Sequence, residues 1–306
     1  MTGIDGQGHP PGTRPWSPPA GRVRSVLLLA DGHKGDVSEA VGEVARHLES
    51  LDAAVETHAD VRSLDTDEGQ LEAGGEHDLV VVLGGDGSVL TAARLFERRP
   101  VPTIGINFGR VGFLASLEVS GWREGLDDVF SGRALVEDRM RLGASVVRED
   151  GVARPAVLAM NDVVISRGGT PSMAEFELLS AGRRVTSYRA DGLIFATPSG
   201  STAYSLAAGG PILDPALRAV VLTPISAHAL SHRPLVLGPE ASLEARVVNA
   251  GGAVTLDVDG RMVTELGPGD RVLLETSAIP YPLLTTRQFD PWQRLRDRLG
   301  WAGNFG

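Results

Sequence analysis

The chain has 306 residues, 42% of them hydrophobic and 22% charged, with a net charge of −10. That length exceeds what one small core organises and points to two domains, while the acidic balance argues against general binding to nucleic acid or to an anionic membrane. There is no cysteine, which excludes disulfides and thiolate metal sites and fits a reducing cytoplasm.

The first 22 residues hold five prolines and five glycines and no apolar stretch, so they read as a disordered tail and not as a signal peptide. Residues 24–30 read as a buried strand. The apolar positions Val37, Val41, Val44, Leu48 and Leu51 then recur at helical spacing, with Asp36 or Ser38 able to cap the start. Residues 79–83 form a second apolar strand, 88–97 a helix, 101–106 a third strand and 122–130 a short helix. Continuous apolar strands separated by helices indicate a parallel, Rossmann-like sheet covered on both faces. From about residue 133 the pattern changes to many β-type segments: 144–148, 156–166, 174–180, 184–188, 193–197, 235–238, 244–249, 253–258 and 271–275. Glycine-rich turns punctuate them. One helix starts near Ser201, and 288–300 reads as another. The division expected is a tail (1–22), an α/β domain (23–132), a β-rich domain (133–287) and a C-terminal helix within 288–306 that returns to the first domain. No run is long enough to span a membrane.

Four elements carry candidate chemistry. Gly84-Gly85-Asp86-Gly87-Ser88 sits between a strand and a helix, where glycines let a backbone approach an anion and the helix start adds partial positive charge. Asp86 suits a base for a hydroxyl or a partner of a magnesium-bound nucleotide; the plainer alternative is a helix N-cap. Asn161-Asp162 interrupts an apolar strand and either holds a ribose or a base amine, or marks an exposed bulge. Asp191-Gly192 leads into Thr197-Pro-Ser-Gly-Ser-Thr-Ala-Tyr204. There Ser201 is placed to cap a helix, and Ser199, Thr202 and the Tyr204 ring suit a nucleoside; the alternative is a well-capped helix with Tyr204 in the core. Asn107-Phe-Gly-Arg-Val-Gly-Phe-Leu114 follows the third strand, with Arg110 its most interesting side chain. It lacks the dinucleotide fingerprint G-x-G-x-x-G. His228 and His232 read as structural.

These elements, with Ala208-Gly-Gly-Pro-Ile212 behind them, together resemble the NAD kinase family over about residues 24–285. The glycine–aspartate turn alone is shared with phosphofructokinases and lipid kinases; the 191–212 block is far more specific. The resemblance implies an α/β domain and a β-rich domain with the site in the cleft, and transfer of phosphate from ATP to the adenosine 2′-hydroxyl of NAD. It implies Asp86 as general base and Gly87 beside the NAD phosphates or ribose. Gly84, Gly85, Gly87, Ser88 and Arg110 are the phosphate and ATP candidates. Asn161 and Asp162 would hold the adenosine end. Ser199, Thr202, Ala203, Tyr204, Ser205, Leu206 and Ala207 would bind the adenine region, and Asp191, with Arg189 nearby, the nicotinamide end from a neighbouring subunit. It further implies Mg²⁺ with the nucleotide, a homodimer or homotetramer, a cytoplasmic location, and neither nucleic acid nor membrane as partner. Asp162 stands where the family commonly has glutamate, and Arg261 where glutamine is frequent. The rival readings are another kinase with this turn, acting on a sugar phosphate or lipid, and a non-catalytic NAD sensor.

Overall fold

The structure is a computed structural model that describes residues 12–33, 35–64, 76–109, 112–168, 173–228, 232–287 and 289–301. The chain forms two compact units: one runs to Asp138 and resumes at Tyr281, and the other is Arg139–Pro280.

The first unit is built on an eight-stranded sheet. Its parallel centre comprises β2 (Ser25–Ala30), β3 (Ala54–His58), β4 (Leu79–Gly84) and β5 (Thr103–Asn107). To these are added β1 (Thr13–Pro15), β6 (Leu117–Glu118), β7 (Leu135–Arg139) and β20 (Tyr281–Thr285), in the order β1-β7-β20-β5-β4-β2-β3 with β6 on β5. All six residues of β4 are buried, as a doubly covered parallel strand requires. One face packs Val26, Leu28, Val81, Leu83 and Ile104 against α1 (Gly35–Ser50) and α3 (Trp122–Phe130), through Val37, Val44 and Leu48 and through Trp122, Leu126 and Val129. On the other face, Val89 of α2 (Asp86–Leu95) lies over Gly105, where a Cβ would come within 3.1 Å of it. The strand order reverses between β2 and β4, so their carboxyl ends flank a topological switch point. The turn that carries Asp86 leaves β4 at that point.

The second unit is a sandwich of two six-stranded antiparallel sheets. One has the order β15-β14-β13-β10-β17-β18: β10 is Asp162–Arg167, β13 Gly192–Ala196, β14 Val220–Ile225, β15 Leu235–Leu237, β17 Val254–Val258 and β18 Arg261–Leu266. The other has the order β12-β11-β16-β19-β8-β9: β8 is Leu142–Val147, β9 Val157–Ala159, β11 Ala174–Ser180, β12 Arg183–Ala190, β16 Leu243–Asn249 and β19 Arg271–Thr276. Inward residues such as Val163, Ile165, Phe176, Leu193, Phe195 and Leu256 form one core between them. The outer face of the first sheet buries Val164, Ile194, Ala196 and Val221 under Ala208 and Leu213.

Several details differ from the sequence reading. Residues 12–22 are not a free tail. Thr13–Pro15 pairs with Leu135–Glu137, and Trp16 is buried with its Nε1 donating to Val129 O at 2.9 Å. An indole with its N–H satisfied anchors a segment that composition marks as unstructured. Residues 1–11 lie outside the described residues. The run 156–166 is two strands, broken at Met160 and Asn161. Tyr281–Thr285, assigned to the β-rich half by the sequence reading, hydrogen-bonds within the first unit's sheet: the Tyr281 hydroxyl meets Thr103 Oγ1 at 2.7 Å. Neither Asp36 nor Ser38 caps α1, which starts at Gly35; Ser38 Oγ donates to Gly32 O. The last helix, α5 (Pro291–Leu299), is capped by Asp290, whose carboxylate accepts from Trp292 N at 2.8 Å. Its buried Arg294 donates to Ala115 O. No helix among the described residues is long and apolar enough to cross a membrane.

Candidate active site

In the first unit the site grows from the carboxyl ends of β2, β4 and β5. Gly85 takes the N-cap position of α2 and Asp86 is its first residue. The Asp86 side chain caps nothing on its own helix. It turns instead to the loop after β5: Oδ2 accepts from Phe113 N at 2.8 Å and Oδ1 from Leu114 N at 2.9 Å. Two amides, one per oxygen, fix the carboxylate plane and leave lone pairs on both oxygens for a ligand. Gly112 makes this possible, because a Cβ there would lie 2.6 Å from Asp86 Cγ. Gly84 is packed as tightly, with Ser88 Cβ 2.8 Å from where its own Cβ would be. Gly87 faces open space and is exposed. Ser88 is buried behind the turn. Arg110 lies outside the described residues. Two further polar groups stand at neighbouring strand ends. Asp31 is buried and takes Arg62 Nη2 at 3.0 Å on one oxygen, while Asn107 Oδ1 has no partner among the described residues.

In the second unit, Asn161, Asp162, Ala203, Tyr204, Asp257, Asp259 and Gly260 line a recess of about 510 Å³ with Val164 and Ser166. Tyr204 is not a core residue: it is 48% exposed. Asp162 is 5% exposed and so does not sit on an exposed bulge. Burial is the main force that lifts its carboxyl group to about 7, with the Asp259 charge adding to it and a hydrogen bond from the Tyr204 amide opposing it. The Asn161 amide oxygen is buried without a partner among the described residues, an acceptor that a ligand's donor can satisfy.

The hydroxyl-rich loop is built differently from the capped helix expected. Ser199–Thr202 is a 3₁₀ turn, the chain breaks at Ala203 (ψ −127°), and α4 (Tyr204–Ala207) is one turn long. Ser201 does not cap it; its hydroxyl donates to Pro198 O at 2.6 Å and accepts from Leu213 N at 3.0 Å. Thr197 Oγ1 donates to Met160 O at 2.6 Å, and Thr202 Oγ1 to Ser199 O at 3.1 Å. Ser199 is buried beside Arg139, and Ser205 pairs with Thr223 Oγ1 at 2.8 Å. These hydroxyls therefore shape the loop, and of the expected set it is Ala203 and Tyr204 that border the recess. Leu206 and the exposed Ala207 follow on the short helix. Gly200 packs on the Asn161 backbone, 2.8 Å from its Cα measured at an added Cβ, which ties the loop to the Asn161-Asp162 pair.

Arg189 and Asp191 are not brought to this recess. Asp162 pairs with Ala196 at one end of β13, and Asp191 precedes the other end, about 17 Å away at strand spacing. Asp191 is bound by Arg167 Nε at 2.6 Å, and this bond is the main cause holding its carboxyl below the usual range. Arg189 is exposed, with its carbonyl accepting from His228 N at 3.0 Å. His232 lies against the Tyr188 ring, 4.6 Å between centroids.

The family model described as the ATP-NAD kinase N-terminal domain matches residues 22–134, and that for the ATP-NAD kinase C-terminal domain matches residues 160–286. The chain belongs to the NAD kinase family. Family membership makes it a phosphotransferase with an alcohol acceptor, and NAD kinase activity is the function its relatives support. It is 38% identical to an NAD kinase of Chromobacterium violaceum over 286 residues, covering 91% of this chain and 97% of that protein. It is 42% identical to one of Nitrosomonas europaea over 232 residues, covering 76% and 78%. Among solved structures it resembles a yeast NADH kinase complexed with NADH, with a TM-score of 0.84, 26% identity, and 96% of this chain and 95% of that chain covered. It also resembles an NAD kinase from Archaeoglobus fulgidus in complex with ATP, with a TM-score of 0.71, 26% identity, and 90% and 97% covered.

Asp259 was missed as a site residue. The sequence shows only an Asp-Gly turn, and the partners of its carboxylate are 97 to 99 positions away. Gly112 stands in the 107–114 motif, but only the fold shows that it lies against Asp86.

Proposed function

We propose that this NAD kinase family member transfers the terminal phosphoryl group of ATP to the adenosine 2′-hydroxyl of NAD, with Asp86 as the general base. The oxygen of that hydroxyl bonds to phosphorus, the bond from phosphorus to the ADP oxygen breaks, and the hydroxyl proton goes to Asp86. Phosphoryl transfer is mostly positioning and charge stabilisation, so the protein's work is to hold the reactants in line. Gly84, Gly85, Gly87 and Ser88 bring a phosphate to the start of α2. Asn161 and Asp162 hold the adenosine, with its base against Tyr204 and Ala203. Asp191 and Arg189, at the far end of β13, take the nicotinamide end of a dinucleotide bound by a second copy of the chain in a homodimer or homotetramer.

Magnesium enters with ATP. No three His, Asp or Glu side chains gather as a cage among the described residues. Magnesium held by the ATP phosphates and water does not need one. When bound, it neutralises phosphate charge. The protein acts in the cytoplasm.

The observation that carries this reading is the Asp86 carboxylate: a helix-start aspartate that declines the cap and is clamped by two amides, aimed and still able to accept a proton. The test is purified protein with ATP, Mg²⁺ and NAD, the product identified by phosphorus NMR as the 2′-phosphate. Sugar phosphates and lipids serve as rival acceptors, and NAD binding without turnover would select the sensor. Asp86→Asn is expected to lower kcat by at least about 100-fold while NAD still binds; an unchanged kcat rules out the base.

A further inference from the structure

Three consecutive amides converge on one carboxylate in the second unit. Asp259 Oδ2 accepts from Met160 N at 2.8 Å, and Oδ1 accepts from Asn161 N at 2.7 Å and Asp162 N at 3.0 Å. Asp259 N in turn donates to Asp162 O at 2.9 Å. Asp259 holds this pose at φ +49°, a left-handed conformation that aspartate tolerates better than most residues. A single side chain from the β17–β18 turn therefore satisfies the amides at the break between β9 and β10. That break presents Asn161 and Asp162, the pair the recess offers to a ligand.

We propose that Asp259 is the positioning residue of this recess: its carboxylate sets the Asn161-Asp162 backbone, and its charge faces the Asp162 carboxyl. This rests on the recess being the adenosine site of NAD. One Asp162 oxygen is engaged by the Tyr204 amide. Facing the carboxyl are Asp259 from the β17–β18 turn, Asp257 from β17 and the Tyr204 phenol from α4; no cationic side chain lines the recess among the described residues. The cation nearest Asp259 in the chain is Arg261, at the start of β18. Buried, and near the Asp259 charge, Asp162 is held neutral up to about pH 7 and keeps an O–H to donate. A neutral Asp162 also removes one negative charge from a site that receives a dinucleotide diphosphate. NAD affinity is therefore highest with Asp162 protonated and falls as pH rises through that value.

The experiment is NAD binding by calorimetry, without ATP, from about pH 5.5 to about 8.5. The parent protein shows an alkaline loss of affinity centred near 7. Asp259→Asn keeps the shape, removes the charge and cannot accept from all three amides. It is expected to weaken NAD binding at least about tenfold and to move the alkaline limb down by about one pH unit, because ionised Asp162 no longer faces that charge. Unchanged affinity, or the same loss at every pH with the limb unmoved, overturns the proposal. If Asp259→Asn fails to fold, Asp162→Asn decides: its NAD affinity is expected to be flat with pH, and a persisting limb overturns the proposal. A parent protein that does not bind NAD strikes instead at the substrate reading.

Discussion

Gly112→Ala isolates the aim of the Asp86 carboxylate from its chemistry. The backbone at Gly112 does not have a positive φ, so alanine brings no conformational strain. Its only cost is steric. The new methyl would stand 2.6 Å from Asp86 Cγ and 2.8 Å from Oδ2, where ordinary contact begins at 3.4 Å. Oδ1 lies nearer still to the new methyl, so the carboxylate must retreat by more than about 1 Å and loosen its bonds to Phe113 and Leu114. A displacement near 1 Å at a reacting group costs about 100-fold in rate, and the general base itself is worth about 10²–10⁴. The expected outcome is a kcat lower by roughly 10- to 100-fold, a KM for NAD within about twofold, and thermal stability reduced by about 1 kcal/mol or less. Steady-state kinetics with thermal melts on the same preparation reads all three. A kcat within twofold of the parent would show that the carboxylate's position is irrelevant to turnover and would refute the general-base reasoning.

Gly87→Ala should separate folding from function. With open space at its Cβ and a place in the first turn of α2, alanine stabilises the protein by about 0.5–1 kcal/mol, while ATP or NAD affinity falls because the backbone approach is blocked; stabilisation with full affinity would remove Gly87 from the phosphate site. Asp162 makes stability depend on pH with an unusual sign. Its folded value of about 7 lies above the ordinary 3.8, so its stabilising protonation is complete below 3.8 and is lost as pH rises to about 7. The loss is at most about 4 kcal/mol. Asp162→Asn should therefore melt higher than the parent at pH 8 and about equally at pH 4, and a parent whose stability does not fall over that range contradicts the burial argument.

Two kinds of strand are legible in the sequence: unbroken apolar runs, and alternating ones such as β11 and β17, whose inward side chains are buried and whose others are not. β2 and β4 are unbroken apolar runs because helices cover both faces, and α3 falls at Trp122–Phe130 as its spacing demands. β3, a half-exposed edge strand of Ala-Val-Glu-Thr-His, carries no such run. β14 is a buried run interrupted by Thr223 and Pro224, and β18 exposes apolar Met262 as well as Glu265, so it shows no clean alternation. The site was legible as residues but not as contacts. The glycine–aspartate turn, Asn161-Asp162 and the 197–204 loop could be marked as chemistry-bearing from their types. That Ser199, Ser201 and Ser205 spend their hydroxyls within the fold, that Tyr204 lies exposed, and that Asp259 organises three distant amides follow only from the tertiary packing of β10, β13 and β17.

The proposed reaction requires that the Asp86 carboxylate and the Asn161–Tyr204 recess serve one adenosine. A structure of the protein with NAD bound tests it most directly. The expected result is an adenosine 2′-oxygen within about 2.6–3.2 Å of an Asp86 oxygen, with the same adenosine's base against Tyr204. An adenosine that reaches Tyr204 while its 2′-hydroxyl stays beyond hydrogen-bond reach of Asp86, in every subunit of the assembly, contradicts it.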